Sequence, residues 1–394
     1  MKVLMMTHHR RVKAQLRSFA VARHLVERGH QVSLIVTSDD RRGRVVRGEQ
    51  HGVQVVESPD LLWGKLRSGW DLWNLANRIG YLARDPYSYD LVHCFETRPA
   101  TIYPALLYAR RYRVPLITDW NDWWGRGGII DELRPRWYRM LFGRVETYYE
   151  EAFRTTGDGL TAISTALARR AERLGVPREQ ILHLPGGIPP EMLQPRELDE
   201  CRRQVGWTQQ GPVIGFSSLD SHLDMELVMR ALAIVAARYP TVKLLVTGKS
   251  GEAVRRLAME NGVESNLYLT GFLPADQLPL YLGCSDLFVL PFPEKVYNIG
   301  RWPNKIGDYM STGRPTVANP TGDIRTLFES QRVGLLAGWD AQEFAGQILR
   351  LIQDPGLARE LGANARRVAE TQYDWRILVA RLEQFYMRVL STWA

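Results

Sequence analysis

A short apolar run from Lys2 to Thr7 predicts an opening strand. Val12, Leu16, Phe19, Ala20 and Val26 then recur at helical spacing as far as Gly29, with Arg23 the one polar interruption, and Gln31 to Thr37 reads as a second strand. This is a strand-helix-strand unit of parallel type. The alternation continues through Asp90–Phe95, a helix over Thr101–Arg111, Pro115–Thr118, Leu160–Ile163, a helix to Leu174, and Gln180–Leu184. The turn Pro185-Gly186-Gly187 closes the series, and the polar, Pro-rich stretch 189–210 reads as a linker with a short lead-in helix.

A second series of strands follows at Pro212–Phe216, Lys243–Thr247, Leu267–Thr270, Leu287–Leu290 and Thr316–Ala318, with helices over 224–238, 251–261, 275–283 and 303–312 between them. The pattern predicts an α/β protein of two Rossmann-like, doubly wound parallel-sheet domains, residues 1–188 and 189–372. A final helix in 373–394 carries Trp375, Ile377, Leu378, Leu382, Phe385, Tyr386 and Val389 near helical spacing and needs a surface to cover. Two such domains are expected to face a cleft, because open α/β sheets place ligands at the carboxyl ends of their strands.

A length of 394 residues exceeds what one core usually supports, which agrees with two domains. No apolar stretch reaches about 18 residues and the opening run is too short for a signal peptide, so a cytosolic protein is expected. Cys94, Cys201 and Cys284 are odd in number and far apart, the pattern of reduced buried thiols. A net charge of +8 suits nucleic acid, anionic lipid or a nucleoside diphosphate alike. Aromatic-basic RNA-binding signatures and zinc-finger spacing are both missing, so nucleic acid is not an expected partner.

Chemistry concentrates in two places. Pro303 can open the helix over 303–312, Gly313 can end it in the left-handed conformation and Pro315 stops it, so the turn Asn298–Trp302 is expected to offer free N–H groups and the positive end of a helix dipole to a phosphate. Lys305 and Asp308 share a face there; a cation at that end favours a bound anion, the plainer alternative being a solvated ion pair. In the first domain, Asp119, Asn121, Asp122, Trp123 and Trp124 follow a strand, and aromatic faces beside polar groups suit a sugar; the alternative is tryptophan packed under a Gly-rich turn. His93 and Glu96 end the preceding strand and are placed facing the same cleft, a satisfied buried His being the alternative. His8 to Lys13 reads as a loop rich in His8, His9, Arg10, Arg11 and Lys13, and His30 as a turn residue.

These residues carry a resemblance. Asp308-Tyr309-Met310-Ser311-Thr312-Gly313-Arg314-Pro315 resembles the E-x-M-x-x-G-x-P signature of the retaining GT-B glycosyltransferases of family 4 (glycosyl transferases group 1), with Asp for the usual Glu. Gly271-Phe272, Leu280-Tyr281, Ser285 to Pro291, Arg28 to Val32, Asp90 to His93, Ala162 to Ser164 and Leu184 to Ile188 match the family pattern in order, and Tyr373-Asp374-Trp375 opens a helix of the kind that returns to the first domain. The resemblance implies transfer of a sugar from a nucleotide-diphosphate sugar, without cofactor or metal, to a hydroxyl of a glycan, lipid-linked or small-molecule acceptor. Asp308 would hold the ribose hydroxyls, Gly271, Phe272 and Leu273 would flank the base, and Arg301 and Lys305 would neutralise the diphosphate, with Lys249 either a further cation or a residue of a solvated loop. Two departures stand out. The family's diphosphate-gripping Arg and Lys fall on Ser217 and Leu223, and the His8 to Lys13 loop offers replacement cations. The family's first Glu falls on Gly300, leaving Asn298 or Arg301 to meet the donor sugar. The family's loop His falls on Asn121, which cannot shuttle a proton, so charge stabilisation would come from Asp119 or Asp122.

THHRRVKAQ lacks the glycines of a dinucleotide turn, which argues against a dehydrogenase. A catalytically inactive sugar or nucleotide binder of the same fold stays open as the second reading. Between Leu61 and Leu82, Leu61, Leu62, Trp63, Leu66, Trp70, Leu72, Trp73, Leu75, Ile79 and Tyr81 interleave with Lys65, Arg67 and Arg78, and a second aromatic-basic run covers Arg134 to Arg144. Either can lie at the inner face of an anionic membrane or pack on the first domain.

Overall fold

The computed structural model describes residues 1–10, 16–38, 43–61, 68–85, 88–194, 196–219, 222–249 and 252–393. The chain forms two compact units: Met1–Pro185 with Gly300–Trp302 and Trp375–Ala394, and Gly186–Ile299 with Pro303–Asp374.

The first unit holds an eight-stranded sheet in the order β3-β4-β2-β1-β5-β6-β7-β8. Its strands are β1 Lys2–Arg10, β2 Gln31–Thr37, β3 Val46–Gln50, β4 Val53–Ser58, β5 Leu91–Phe95, β6 Leu116–Trp120, β7 Gly159–Ala162 and β8 Ile181–His183. All pairs are parallel except β3–β4, an antiparallel edge hairpin turned at His51 and Gly52, both at positive φ. The central strands are apolar throughout because helices cover both sheet faces; Val3 to Met6 have no exposed surface. One covering layer contains helix Arg17–Glu27, through Phe19, Val21 and Leu25, and the C-terminal helix Trp375–Trp393, through Trp375, Leu378, Leu382 and Phe385.

The second unit is a six-stranded parallel sheet, β11-β10-β9-β12-β13-β14. Its strands are β9 Val213–Leu219, β10 Lys243–Lys249, β11 Leu267–Gly271, β12 Leu287–Leu290, β13 Thr316–Ala318 and β14 Gly334–Leu336. The helix expected over 303–312 spans Asn304–Ser311, with Pro303 as its N-cap and Gly313 (φ 70°) just past its end. Two further helices, Ala341–Gln353 and Pro355–Val368, are capped by the side chains of Asp340 and Asp354.

Several expectations shift. His8, His9 and Arg10 prolong β1 and are no loop. Val12, Arg11 and Lys13 lie outside the described residues, as do Leu62, Trp63, Lys65, Leu66 and Arg67. Arg78 does not line a polar helix face: it is fully buried and donates to Thr7 O at 2.8 Å and Thr37 Oγ1 at 3.0 Å.

Candidate functional site

In the second unit the strands' carboxyl ends gather the donor-side candidates. β10 ends at exposed Lys249 after Gly248 (φ 93°), and β11 ends at Gly271 (φ 69°), followed by half-buried Leu273 and by Phe272, whose side chain is 81% exposed. The Lys305 ammonium lies 4.7 Å from the centre of the Phe216 ring, which belongs to β9. Such a contact steers the cation without discharging it. Asp308 sits one helical turn on; burial pushes its carboxyl up to about 7, against the pull of Lys305. Ser217, where the family pattern has Arg, is occupied structurally: its N–H donates to the Tyr309 hydroxyl at 2.9 Å and its hydroxyl pairs with Thr247 at 3.0 Å. Tyr309 in turn stacks on Phe288 at 4.3 Å. The position of the family Lys, Leu223, falls within helix His222–Arg238.

The turn before the helix differs from its expectation. Residues Val296–Ile299 form one helical turn, and the N–H groups of Asn298 and Ile299 both donate to Lys295 O at 2.9 Å, so neither is free for a phosphate. The Asn298 side chain donates inward to Pro293 O at 2.9 Å. Gly300 belongs to the first unit, where its carbonyl accepts from Ser164 Oγ at 3.1 Å.

In the first unit, the ends of β1, β5 and β6 assemble a charged cluster. Arg98 stands half-buried at its centre, anchored by donation to Ser68 O at 2.7 Å and lying 4.7 Å from the Trp124 ring centre. Glu96, Asp122, His8 and His9 all feel its charge. Glu96 is buried, adopts φ 69°, and has its carboxyl pushed up to about 8 by burial, against the pull of Arg154. Burial likewise raises Asp122 to about 6, opposed first by Arg301, whose Nε lies 3.9 Å from its Oδ1. The cluster thus brings together Asp122 and Arg301, two residues 179 positions apart in the sequence. Asn121 Oδ1 is buried and has no hydrogen-bond partner among the described residues.

Other expected site residues have different work. Asp119 is buried and accepts from Arg17 Nε and Nη2 at 3.1–3.2 Å and from Thr161 Oγ1 at 2.5 Å, so its carboxylate is consumed in tying helix Arg17–Glu27 to the sheet. His93 does not face a ligand space: Nδ1 meets the Tyr386 hydroxyl at 2.6 Å, Nε2 meets Thr161 at 3.2 Å, and burial lowers the ring to about 4. His8 and His9 stack at 4.4 Å, and burial, with Arg98 beside them, holds His8 well below its ordinary range and His9 at about 4. Both are neutral at physiological pH and supply no charge to a diphosphate; Arg10 of the same run pairs with Asp60.

The tryptophan loop is fixed by a carboxylate that local sequence does not reveal. Glu150, on helix Arg136–Glu151, accepts from the Trp120 indole at 3.0 Å, from the N–H of Trp124 at 2.8 Å and from the N–H of Gly125, while Arg170 lies 3.5 Å from its Oε2. A Cβ at Gly128 would run into the Trp123 carbonyl, so the turn requires glycine. Trp123 itself carries the Arg170 guanidinium 4.2 Å from its ring centre and donates to Arg126 O at 2.8 Å. Arg98 was open to discovery in the sequence, since it follows a strand's carboxyl end and precedes the helix-opening Pro99.

Two parallel-sheet α/β units with charged and aromatic residues gathered at their strands' carboxyl ends define a GT-B glycosyltransferase fold. Residues 17–192 match the model of Glycosyltransferase Family 4 and residues 211–354 that of Glycosyl transferases group 1. Between them the two models span most of the chain, which belongs to this family of glycosyltransferases. Among similar proteins is the GDP-mannose-dependent alpha-(1-6)-phosphatidylinositol monomannoside mannosyltransferase of Mycolicibacterium smegmatis, 24% identical over 58% of this chain and 61% of the relative. The chain therefore matches less than two thirds of that relative's length. Sucrose-phosphate synthase from Thermosynechococcus elongatus is similar in structure with a TM-score of 0.78 at 16% identity, covering 99% of both chains. Anabaena HepE in complex with UDP follows at 0.72 and 19%, covering 98% of this chain and 100% of that one. At those identities the likeness shows the fold.

Proposed function

We propose that the protein is a retaining glycosyltransferase that moves a sugar from a nucleoside-diphosphate sugar to a hydroxyl of a glycan or lipid-linked acceptor, with no metal or cofactor. The observation that carries this reading is the pair Lys305 and Asp308 on one helix at the carboxyl edge of the second sheet. Among the described residues Lys305 is the one charge that acts on Asp308, and its raised affinity for a proton marks a carboxylate short of hydrogen-bond donors; two ribose hydroxyls would supply them. Lys305, already oriented by Phe216, would meet diphosphate charge as the glycosidic bond breaks, with Arg301 the second cation assigned to that charge. Lys249 and the segment Gly271–Leu273 complete the donor side in this reading, and Asn121, Asp122, Glu96 and Trp124 take the acceptor side.

The lipid-linked acceptor is favoured by helix Arg136–Glu151. Trp137, Met140, Leu141 and Tyr148 share one of its faces and are each more than half exposed, with Arg136 and Arg144 alongside. A row of that kind suits the headgroup region of an anionic membrane. The matched mannosyltransferase is named for a phosphatidylinositol-linked substrate, which agrees with that class of acceptor.

Titration calorimetry with nucleoside diphosphates tests the donor reading: Asp308→Ala should weaken binding by about 1.5–3 kcal/mol, the loss of a charged acceptor. Unchanged affinity in the folded variant would remove Asp308 from the site. Lys305→Ala and Arg301→Ala should lower turnover more than binding of the free nucleoside. The anomeric configuration of the product, read by NMR, decides retention, and donor binding without any turnover would favour the inactive binder.

A further inference from the structure

The second unit contains a cavity of about 750 Å³ that lies at the opposite edge of its sheet from Lys305 and Asp308. Its wall includes Pro212, Asp286 and Pro315, the residues that lead into the amino ends of β9, β12 and β13. No part of the donor reading uses it. Five arginines line it, Arg196, Arg202, Arg314, Arg359 and Arg366, against two acidic residues, Glu197 and Asp286.

The local pairing leaves that charge largely unbalanced. Asp286 is already committed: its Oδ2 accepts from Val213 N–H at 2.7 Å and from Arg202 at 2.9 Å. Arg366 is held by the carbonyls of Ser311 and Leu193 and by Glu370. Arg314 has no hydrogen-bond or ion-pair partner among the described residues, and the buried Nε of Arg196 has none either. Both arginines line the same cavity, and both act on the thiol of Cys201. Two unpartnered guanidinium forks beside a cavity repel each other unless an anion joins them, and their planar donors match phosphate oxygens.

The remaining wall is apolar, with Leu198, Leu287, Leu351, Ile352 and Ala358. The turn that carries Arg314 is fixed against helix Pro355–Val368, since a Cβ at Gly362 would run into the Gly313 carbonyl. The site is therefore built and rigid. We propose that this cavity binds an organic phosphate with an apolar body, its phosphate held by Arg196 and Arg314 and its body against Leu351 and Ile352. The volume falls within the range of small-molecule sites.

Calorimetry with hexyl phosphate and inorganic phosphate, and flotation with vesicles containing phosphatidic acid, test the site on the full chain. Hexyl phosphate should bind more tightly than inorganic phosphate, and Arg196→Gln with Arg314→Gln should weaken it by roughly tenfold to a hundredfold. Lys305→Ala should leave that affinity unchanged, which separates this site from the donor site whatever the donor proves to be. Binding of the soluble probe assigns the natural ligand to a free phosphomonoester; capture by vesicles alone, lost in the double variant, assigns it to a lipid headgroup. No saturable binding to either form, or binding that the double variant retains, overturns the proposal. Because neither arginine has a hydrogen-bond or ion-pair partner to lose among the described residues, the double variant should melt no lower than the parent protein without ligand.

Discussion

Glu96 combines two unfavourable features in one residue, a left-handed backbone at φ 69° and a buried carboxyl with no hydrogen-bonded cation among the described residues. Strain of this kind is retained where the surrounding structure imposes it, and it gathers at functional sites. Its carboxyl titrates at about 8, above its ordinary 4.5, so the native state holds the proton more tightly than the unfolded chain. That contribution is complete below the unfolded value and is lost as pH rises through about 8. Glu96→Gln cannot ionise and should therefore gain stability over the parent as pH rises from about 5 to 9, by a few kcal/mol at the upper end and under about 1 kcal/mol at the lower, read from urea unfolding at each pH. A pH-independent difference would mean that the carboxyl is not buried unpaired. The sequence placed both Glu96 and His93 at the end of one strand but could not separate them. In a sheet covered on both faces, alternation does not mark a functional side, and His93 finds its partners 68 and 293 positions away in Thr161 and Tyr386.

At the scale of elements, the loop from Trp120 to Gly128 depends on one carboxylate. Glu150 accepts from an indole and two backbone N–H groups and faces Arg170, so Glu150→Ala strands the N–H groups of Trp124 and Gly125, while the indole keeps Asp122 O and Arg170 keeps Glu151; the loss should destabilise the unit by about 2–5 kcal/mol. Urea unfolding reads the loss, and a red shift in tryptophan emission before the main transition reads the loosened loop. Glu150→Gln keeps an acceptor and should cost less. The aromatic and polar content of this loop was legible in sequence; its anchor was not, because Glu150 lies on another helix and looks like any solvated acidic residue. Helix Asn304–Ser311 was legible for the converse reason: Pro303, Gly313 and Pro315 punctuate it locally, so its ends are written in adjacent residues. The hairpin β3–β4 escaped because four of the five β3 residues are exposed, which leaves no apolar pattern to read. The turn before the helix misled, since Asn298 and Ile299 spend their N–H groups on Lys295.

For the whole molecule, the alternation of central strands and covering helices in both units follows from apolar periodicity, since parallel sheets demand runs of buried residues separated by covering helices, whereas the edge strands β3, β4 and β14 did not show in it. Function at this scale turns on surface. No helix among the described residues is long and apolar enough to cross a membrane. Met140→Glu with Leu141→Glu should lower flotation with anionic vesicles at least roughly tenfold, because two apolar side chains each contribute about 1.5–3 kcal/mol when buried in lipid. Raised salt should weaken binding further through the arginines. Full co-flotation of the double variant would leave that face to another partner.

The C-terminal helix sets an order of events during synthesis. Its residues Trp375, Leu378, Val379, Leu382, Phe385 and Tyr386 complete the same apolar cluster as Val3, Met5 and Phe19, yet the ribosome releases them only after all of Gly186–Asp374. At about 5–20 residues per second that interval lasts roughly 10 to 40 s. Throughout it, the sheet face that Trp375–Trp393 will cover has only helix Arg17–Glu27 of that layer, and the second unit gains its last residue just before the C-terminal helix is made. The unit translated first is thus the unit finished last, and the part of its apolar face left to Trp375–Trp393 waits for its cover through the whole of that interval.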